Sequence, residues 1–414
     1  MPPLALRGHV RRAFGGSPFQ FHHFFRRLMH FDPATAPSVV RTNARTPETP
    51  EPSHRDDWDS QPEHLVILVN GLFGSVRNWR AIDNAIRSRA KKESRRVLVH
   101  STRANSYFQT FDGVDVCSER LASEVLAIVE ANRSLKNISV IGHSLGGVLA
   151  RHALSRLYRE DGTIAGLTPL QYITLATPHV GVSPTSPSAL PFLEWIGGRE
   201  ERLLGNRFQP VKKTLATISP YVGSLAIRRT GSQLFLTDTD GSAGRPLLID
   251  MALNQRFLAP LKAFRRRVAY ANVSGDHLVA WQGSALARLH ESSPTEDDIF
   301  QTGRGVLLSR LEGDIEMSSE RNGNTRQSIP EADSQHDELV SSLRSVGAWD
   351  RVDVCFPSSE KALELETYHA TMPLVRLSIP LISSLTHNHI QVTHPVVNWR
   401  GLHVVEHLVE NLNL

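Results

Sequence analysis

The sequence predicts an α/β fold in which a mostly parallel central sheet carries helices on both faces. Two observations favour this class. Short apolar runs of strand length alternate along the chain with stretches whose apolar residues recur at helical spacing. One of those strands leads directly into a Gly-x-Ser-x-Gly turn, and an amphipathic helix follows the turn at once. Strand–helix alternation of this kind predicts parallel strands joined by right-handed crossovers.

The composition is that of a soluble globular protein with room for one large domain plus insertions. The chain has 414 residues, of which 40% are hydrophobic and 21% are charged. No apolar run reaches the ~18 to 20 residues of a membrane span. The net charge of +4 is small for this length, so the sequence does not predict nucleic-acid binding. With two cysteines there is no disulfide framework.

The N-terminal segment differs from the rest of the chain. Residues 1–31 contain no Asp or Glu, but they carry five arginines interspersed with phenylalanines. This pattern is typical of an organellar transit peptide, which predicts a chloroplast or mitochondrial location. The alternative is a basic tail that lies on an anionic membrane surface. Residues 33–62 read as a linker, so 1–62 form a targeting segment with its linker and 63–414 form the folded domain.

The first half of that domain contains three predicted strands. Residues 65–69 are a continuous apolar run, as expected for a strand buried on both faces, and a glycine loop follows at residues 70–75. Residues 97–99 and 138–141 give the next two strands. The intervening helices are marked by apolar residues at helical spacing: Trp79, Ile82, Ile86 and Ala90 in the first, then Cys117, Leu121, Val125, Ile128 and Val129 in the second.

The third strand ends in the sequence Gly142-His143-Ser144-Leu145-Gly146, followed by a helix. A strand, a tight glycine-flanked turn and a helix together form the nucleophile elbow of an α/β-hydrolase. The turn exposes the Ser144 hydroxyl at a helix N-terminus, where developing negative charge is stabilised. Ser144 is therefore the predicted nucleophile.

The second half of the domain adds three strands and two insertions. Strands are predicted at residues 172–176, 267–273 and 350–356, and a closing amphipathic helix at residues 402–412. Residues 183–230 are too long and too apolar for a plain connection, and we interpret them as a lid over the active site. A permanently packed extension of the core is the alternative. Residues 290–345 are polar and acid-rich, which predicts a disordered insertion.

The serine needs a histidine base that a carboxylate orients, in the chain order Ser, Asp or Glu, His. Asp276 lies in the turn after a late strand and is the predicted acid, whereas Asp250 is a rival inside or before a helix. His387, in the loop between the last strand and the closing helix, is the predicted base, with His407 as the alternative. Three other histidines qualify by position alone: His389, His394 and His403.

The oxyanion hole requires two backbone N–H groups aimed at the oxygen of the tetrahedral intermediate. We assign them to Leu145, after the nucleophile, and to Leu72 in the glycine loop. The remaining residues expected at the substrate site are Asn70, Gly71, Phe73, His143 and His179. The His403/His407 spacing of four lacks the acidic pattern of a metal site, so neither a metal nor a cofactor is predicted.

Several motifs together resemble a known family. They are the NGLFGS loop, IGHSLGG, YITLATPHVGV, TGSQLFLTD and YANVSGDHLVAW, with further matches at residues 112–125, 349–356 and 386–392. In these the chain resembles the lipase-like putative serine esterase family of α/β-hydrolases found in plants, fungi and protists. The resemblance implies Ser144 as nucleophile, Asp276 as acid and His387 as base. The chain departs from the family in having Asn70 where a histidine is usual, and in the long insertion at 290–345.

The sequence therefore predicts a serine hydrolase that cleaves a carboxylic ester of a lipid, such as an acylglycerol or a phospholipid. Peripheral contact with a lipid surface is an expected accompaniment. Acyl transfer or thioester hydrolysis by the same three residues remains an alternative, because sequence does not show whether water reaches the acyl-enzyme. A third hypothesis is a binding protein that has the same fold but no catalytic activity. The presence of Ser, Asp and His candidates disfavours it.

Overall fold

The computed structural model describes residues 61–182, 227–276, 278–313, 331–356, 386–393 and 398–414. Its centre is a seven-stranded sheet with the strand order β2-β1-β3-β4-β5-β7-β6. Every neighbouring pair is parallel except β6 and β7, which are antiparallel. The strands are β1 (His64–Val69), β2 (Val97–Ser101), β3 (Asn137–His143), β4 (Thr168–Leu175), β5 (Arg266–Asn272), β6 (Val306–Leu311) and β7 (Trp349–Val354).

The described helices cover both faces of this sheet. They are α1 (Arg80–Lys92), α2 (Val114–Ala131), α3 (Leu145–Leu157), α4 (Arg228–Leu234), α5 (Leu247–Leu253), α6 (Gln255–Ala263), α7 (Trp281–Ala285), α8 (Glu296–Phe300), α9 (Glu331–Arg344), α10 (Thr386–His389) and α11 (Leu402–Glu410). Short 3₁₀ turns lie at Val76–Trp79, Tyr107–Phe111, Ser242–Gly244 and Trp399–Gly401.

Strand β1 shows how the core is divided. Its side chains alternate between two hydrophobic clusters, because successive residues of a strand point to opposite faces. Leu65, Ile67 and Val69 join the cluster that packs under α2, α3, α5, α6 and α9. Val66 and Leu68 join the cluster under α1 and α11. Both faces are thus covered, which accounts for a strand without polar residues between Leu65 and Val69.

The α/β architecture predicted from the sequence is confirmed. The order strand, helix, strand, helix, strand, elbow, helix appears as β1 to α3, and the strands predicted at 172–176, 267–273 and 350–356 correspond to β4, β5 and β7. The carboxyl ends of these parallel strands meet at one edge of the sheet. There Gly142 at the end of β3 lies opposite Val69 of β1, and Leu175 of β4 lies opposite His143. That edge carries the candidate site.

The prediction of disorder across residues 290–345 is wrong for its described parts. They contain α8, β6 and α9, and β6 pairs along its whole length with β7. β6 is an edge strand that buries only Val306 and Leu311, at its two ends, and exposes much of the surface between them. Helix α9 buries Leu339, Val340 and Leu343 in the core. Elements that pack on one side need few apolar residues, so their polar composition resembles that of a disordered segment.

Two other predictions fall largely outside the described residues. The targeting segment and most of its linker precede residue 61, and most of the predicted lid lies at residues 183–226. Both remain predictions. Of the lid segment, residues 227–230 are described, and Thr230 of α4 donates to the Thr110 carbonyl. None of the helices within the described ranges is long and apolar enough to span a membrane.

Candidate active site

Ser144 lies at the sharp turn between β3 and α3. Its backbone has φ 54° and ψ −128°, a conformation that L-residues rarely adopt and that costs free energy. Its amide donates to the Leu175 carbonyl at 2.8 Å, which fixes the turn against β4. The side chain therefore stands at the N-terminus of α3, at the carboxyl edge of the sheet. This is the geometry of a nucleophile elbow.

The glycines around Ser144 allow its backbone to pack tightly. A Cβ atom at Gly146 would lie 2.1 Å from the carbonyl oxygen of Val69. A Cβ at Gly142 would lie 2.5 Å from the Cα of Gly147. Side chains at these positions would force the strand, the helix and β1 apart. The motif thus requires glycine for steric reasons on both sides of the serine.

Asp276 and His387 form a hydrogen-bonded pair. The ring Nδ1 of His387 donates to Oδ2 of Asp276 at 2.9 Å, and the two side chains are 8% and 2% exposed. Asp276 follows the end of β5, and His387 lies in the short helix α10. With Nδ1 occupied by the carboxylate, the other ring nitrogen of His387 is left to act as a proton acceptor.

The Asp276 carboxylate is held ionised by its surroundings. Its burial alone would raise its pKa, but the facing His387 and several hydrogen bonds outweigh burial and lower the pKa below its usual value. Oδ1 accepts from the amides of Leu278 and Val279 at 2.9 and 3.0 Å, and Oδ2 also accepts from Asn272 Nδ2 at 2.8 Å. A buried carboxylate with donors at both oxygens is both charged and fixed in orientation.

His143, which precedes the serine, contacts the other side of His387. Its Nε2–H donates to the backbone carbonyl of His387 at 2.9 Å, and the two ring centroids are 4.8 Å apart. Burial, with a contribution from the neighbouring His387, lowers the pKa of His143 to about 3. His143 is therefore neutral at pH 7. It holds helix α10, which carries His387, beside the Ser144 turn, whereas from the sequence we expected it to contact the substrate.

The glycine loop after β1 comes close to Ser144. A Cβ at Gly71 would lie 2.8 Å from both the Ser144 Cβ and the His143 carbonyl oxygen. The loop turns at this point, with Gly74 N donating to Gly71 O at 3.0 Å. Leu72 lies inside that turn, and Leu145 is the first residue of α3, a position where the helix leaves the N–H group without an acceptor. Within the described part of the chain neither amide has a backbone acceptor outside the helices and strands, which is compatible with the oxyanion role expected from the sequence.

Asn70 and Phe73 anchor the loop on either side of Leu72. Asn70 is 2% exposed, and its Nδ2 donates to the Asn105 carbonyl at 2.8 Å. The amide of Phe73 donates to Thr110 Oγ1 at 2.9 Å. Asn70 therefore shapes the loop through a buried hydrogen bond. It stands where the family that the sequence resembles usually has histidine. Thr110 and Asn105 are residues that the sequence analysis missed, since neither belongs to a motif.

Asp250 and His407, the alternatives left open by the sequence, have other partners. Asp250 lies in α5, where its Oδ2 accepts from the Ser242 hydroxyl at 3.0 Å. His407 lies in α11, with its Nδ1 3.0 Å from the Tyr270 hydroxyl. Neither contacts the Asp276–His387 pair. Asn272, which donates to Asp276, was also missed, although its position four residues before the acid at the end of β5 was a usable signal.

His179, also predicted to lie at the substrate site, is directed into the core. It is 1% exposed, its Nε2 lies 3.0 Å from Thr174 Oγ1, and its ring packs edge-on against Trp349. Burial lowers its pKa well below the usual value. The expectation that it lines the substrate site is therefore corrected. A polar residue at a strand's end can equally fold back beneath the sheet edge, and sequence position does not separate the two.

Comparison with known proteins identifies a family for this chain. The family model described as "Putative serine esterase (DUF676)" matches residues 59–286, which include β1 to β5, the elbow and Asp276. The chain belongs to the putative serine esterase family. His387 lies beyond the matched part of the chain. No cluster of side chains able to hold a metal ion occurs among the described residues of this family member.

Two relatives of this chain are fungal proteins named as putative lipases. It is 24% identical over 330 residues to the putative lipase C4A8.10 of Schizosaccharomyces pombe, covering 75% of this chain and 37% of that protein. It is 26% identical over 227 residues to the putative lipase ROG1 of Saccharomyces cerevisiae, covering 54% of this chain and 28% of that protein. The chain thus matches only about a third of the length of these relatives.

Solved structures give weaker matches. Phospholipase PlaB from Legionella pneumophila, in complex with thio-NAD, aligns with a TM-score of 0.33 and 16% identity, covering 51% of this chain and 38% of that one. The RedJ thioesterase of Streptomyces coelicolor aligns with a TM-score of 0.30 and 15% identity, covering 61% and 85%. These scores carry no argument about activity. The strand order and the turn between β3 and α3 identify the fold without them.

Proposed function

We propose that the protein hydrolyses carboxylic esters through Ser144, His387 and Asp276, and that its substrates are lipid esters. The observation that carries the proposal is the 2.9 Å hydrogen bond from His387 Nδ1 to Asp276. The carbonyl of this same His387 is bound to His143, the residue next to the elbow serine. Membership in a serine esterase family supports the reaction class, and the names of the fungal relatives support a lipid substrate.

In this mechanism His387 Nε2 takes the proton from the Ser144 hydroxyl as the oxygen attacks the ester carbonyl carbon. The carbonyl oxygen becomes an oxyanion and accepts hydrogen bonds from the amides of Leu72 and Leu145. The C–O bond to the alcohol then breaks, and His387 returns the proton to the departing alcohol. Water attacks the acyl-enzyme by the same route, which releases the acid and restores Ser144.

Asp276 contributes by remaining a carboxylate throughout. It holds the His387 ring in the tautomer that presents Nε2 to the serine, and it stabilises the imidazolium that forms when the proton is taken. Its three donors, Asn272 and the amides of Leu278 and Val279, keep its orientation fixed. This role requires an ionised carboxylate, and the hydrogen bonds and the facing His387 favour that form by lowering the pKa of Asp276.

The test is hydrolysis of p-nitrophenyl butyrate by the wild type and by Ser144→Ala. Residues of such a triad act as a unit, so removal of the nucleophile lowers kcat by about 10⁶-fold. An unchanged far-UV circular dichroism spectrum shows that the variant is folded. Turnover by Ser144→Ala within tenfold of the wild type contradicts the mechanism, and so does a wild type without esterase activity.

A further inference from the structure

Four aromatic side chains form a cluster next to the oxyanion loop. They are Phe73, Tyr107, Phe108 and Phe111, and we call them the aromatic cluster. The Phe73 ring is at its centre, 5.6 Å from Tyr107, 5.0 Å from Phe108 and 6.3 Å from Phe111. Phe73 directly follows Leu72, so the cluster begins one residue from a proposed oxyanion donor.

The exposure of the rings in the aromatic cluster increases from the core to the surface. Phe111 is 8% exposed and packs in the core, whereas Tyr107 is 44% exposed and Phe108 is 47% exposed. Phe73 lies between these extremes. Adjacent exposed rings form an apolar surface that is unfavourable in water, and such patches mark binding sites more often than scattered apolar residues do. The two exposed rings, Tyr107 and Phe108, both contact Phe73, which follows Leu72 in the chain.

Hydrogen bonds make the cluster one unit with the loop. The Tyr107 amide donates to the Gly74 carbonyl at 3.0 Å, and the Phe73 amide donates to Thr110 Oγ1 at 2.9 Å. The Thr110 hydroxyl in turn donates to the Tyr107 carbonyl at 2.6 Å. These bonds fix the rings at a constant position relative to Leu72. A molecule that touched the rings would therefore be held in register with the oxyanion donors.

Two of the rings are presented from strained backbone. Phe73 has φ 56° and Tyr107 has φ 53°, both in the left-handed region that large side chains avoid. Glycine or asparagine would fit either position at lower cost. Strained residues persist where the surrounding structure holds them, and they concentrate at binding and catalytic sites. Two aromatic side chains are held in this way, in mutual contact beside the oxyanion loop.

We propose that the aromatic cluster binds the hydrocarbon chain of the ester's acyl group, so that the substrates are esters of medium or longer fatty acids. The inference rests on the proposed function, because it needs an acyl carbonyl at Leu72 and Ser144. The chain leaves that carbonyl beside Phe73 and lies across Tyr107 and Phe108. Aromatic rings offer mainly apolar surface, which suits a hydrocarbon better than a polar acyl group.

The experiment is a series of p-nitrophenyl esters from acetate to octanoate, each below its aggregation threshold. The measured quantity is the ratio of kcat/KM for octanoate to kcat/KM for acetate. Phe108→Ser removes one ring, and Tyr107→Asn removes another while keeping a residue that tolerates positive φ. The control is Leu308→Ser, because Leu308 is a comparably exposed apolar residue, 50% exposed on β6. β6 is the edge strand opposite β2, and the turn that carries Tyr107 and Phe108 follows β2 in the chain.

Each methylene that the protein removes from water is worth about fourfold in binding, so lost contact with two of them lowers the ratio roughly 15-fold. The proposal predicts a fall of this size in both aromatic variants and no change in Leu308→Ser. An unchanged ratio in both aromatic variants overturns it, and so does an equal fall in the control. If the ratio is unchanged but binding to phosphatidylcholine vesicles weakens, the cluster docks on a lipid surface and the acyl-chain proposal is wrong.

These outcomes are separate from a failure of the proposed function. A wild type that hydrolyses acetate in a Ser144-dependent manner, with a ratio insensitive to both aromatic variants, contradicts only the acyl-chain site. A wild type that hydrolyses no ester of the series contradicts the reaction itself.

Discussion

The Nε2–H of His143 donates to the backbone carbonyl of His387 at 2.9 Å, although 244 residues separate the two in the sequence. The bond joins the residue before the proposed nucleophile to the proposed base. The side chain of His387 is fixed by Asp276 and its backbone by His143. Catalytic geometry must hold within a fraction of an ångström, so a bond of this kind positions the base.

His143→Leu is expected to lower kcat/KM by roughly 5- to 150-fold, because a buried carbonyl would lose its donor at a cost of about 1–3 kcal/mol. His143→Gln is the matched variant, since the glutamine amide offers a donor at about the position of Nε2. We expect it to recover most of the loss. The measurement is kcat/KM on p-nitrophenyl butyrate. Equal losses in the two variants would mean that ring volume, rather than the hydrogen bond, is what matters.

Asp276→Asn is expected to lower kcat by about 10⁴-fold, because an amide no longer selects the His387 tautomer that accepts the serine proton. Asp250→Asn serves as the control, because Asp250 lies in α5 and contacts Ser242. We expect Asp250→Asn to retain kcat within a few-fold. A comparable loss in the Asp250 variant, with Asp276→Asn fully active, would assign the acid to Asp250.

Mutation of His387 and of His407 distinguishes the two candidates for the catalytic base. His387→Ala is expected to be about as damaging to kcat as Ser144→Ala, since either change removes the proton transfer. His407→Ala should retain kcat and lower the free energy of unfolding by about 1 kcal/mol, because the buried Tyr270 hydroxyl loses its partner. Activity assays and urea unfolding of both variants check this. The reverse ranking of kcat would reassign the base to His407.

The elements that could be predicted from the sequence are those whose residues are constrained by packing on more than one side. Strand β1 needs apolar residues on both faces, and Gly142 and Gly146 must admit a neighbouring backbone, so each leaves a clear pattern. Ser144 could be identified because the turn, the strand and the helix constrain one another. Asp276 and His387 could be ranked first because one lies in the turn after a late strand and the other in the loop before the closing helix.

The features that the sequence did not reveal depend on contacts between distant segments. Thr110 supports the oxyanion loop from a 3₁₀ turn that carries no motif. The direction of His179, towards Trp349 and away from the site, follows from packing and not from its position after β4. Strand β6 was taken for disorder because an edge strand with one buried face resembles a polar loop in composition.

Stability is expected to fall in mild acid because buried histidines must take up protons on unfolding. Burial lowers the pKa of His64 from 6.5 to about 4. Between these values only the unfolded chain binds the proton, so this residue's contribution to stability is complete above pH 6.5 and declines as the pH falls. The slope approaches about 1.4 kcal/mol per pH unit for one such group.

His64→Gln should therefore weaken the pH dependence of unfolding between pH 6.5 and pH 4. Glutamine can still bond the Ser139 hydroxyl, which lies 2.9 Å from His64 Nε2. Burial also lowers the pKa of His152 to about 4, so this second histidine should preserve part of the pH dependence in the variant. The measurement is urea unfolding at several pH values, with the exposed His290→Gln as control. Identical pH dependence in His64→Gln and the wild type would contradict the role given to His64.

The central claim is that Ser144 is a nucleophile activated by His387. A fluorophosphonate probe reacts with such a serine and leaves a stable adduct whose position mass spectrometry identifies. We predict a single modified peptide that contains Ser144, with labelling abolished in Ser144→Ala and reduced by several powers of ten in His387→Ala. A wild-type protein that hydrolyses esters without labelling at Ser144, or that is labelled at another residue, would contradict the account.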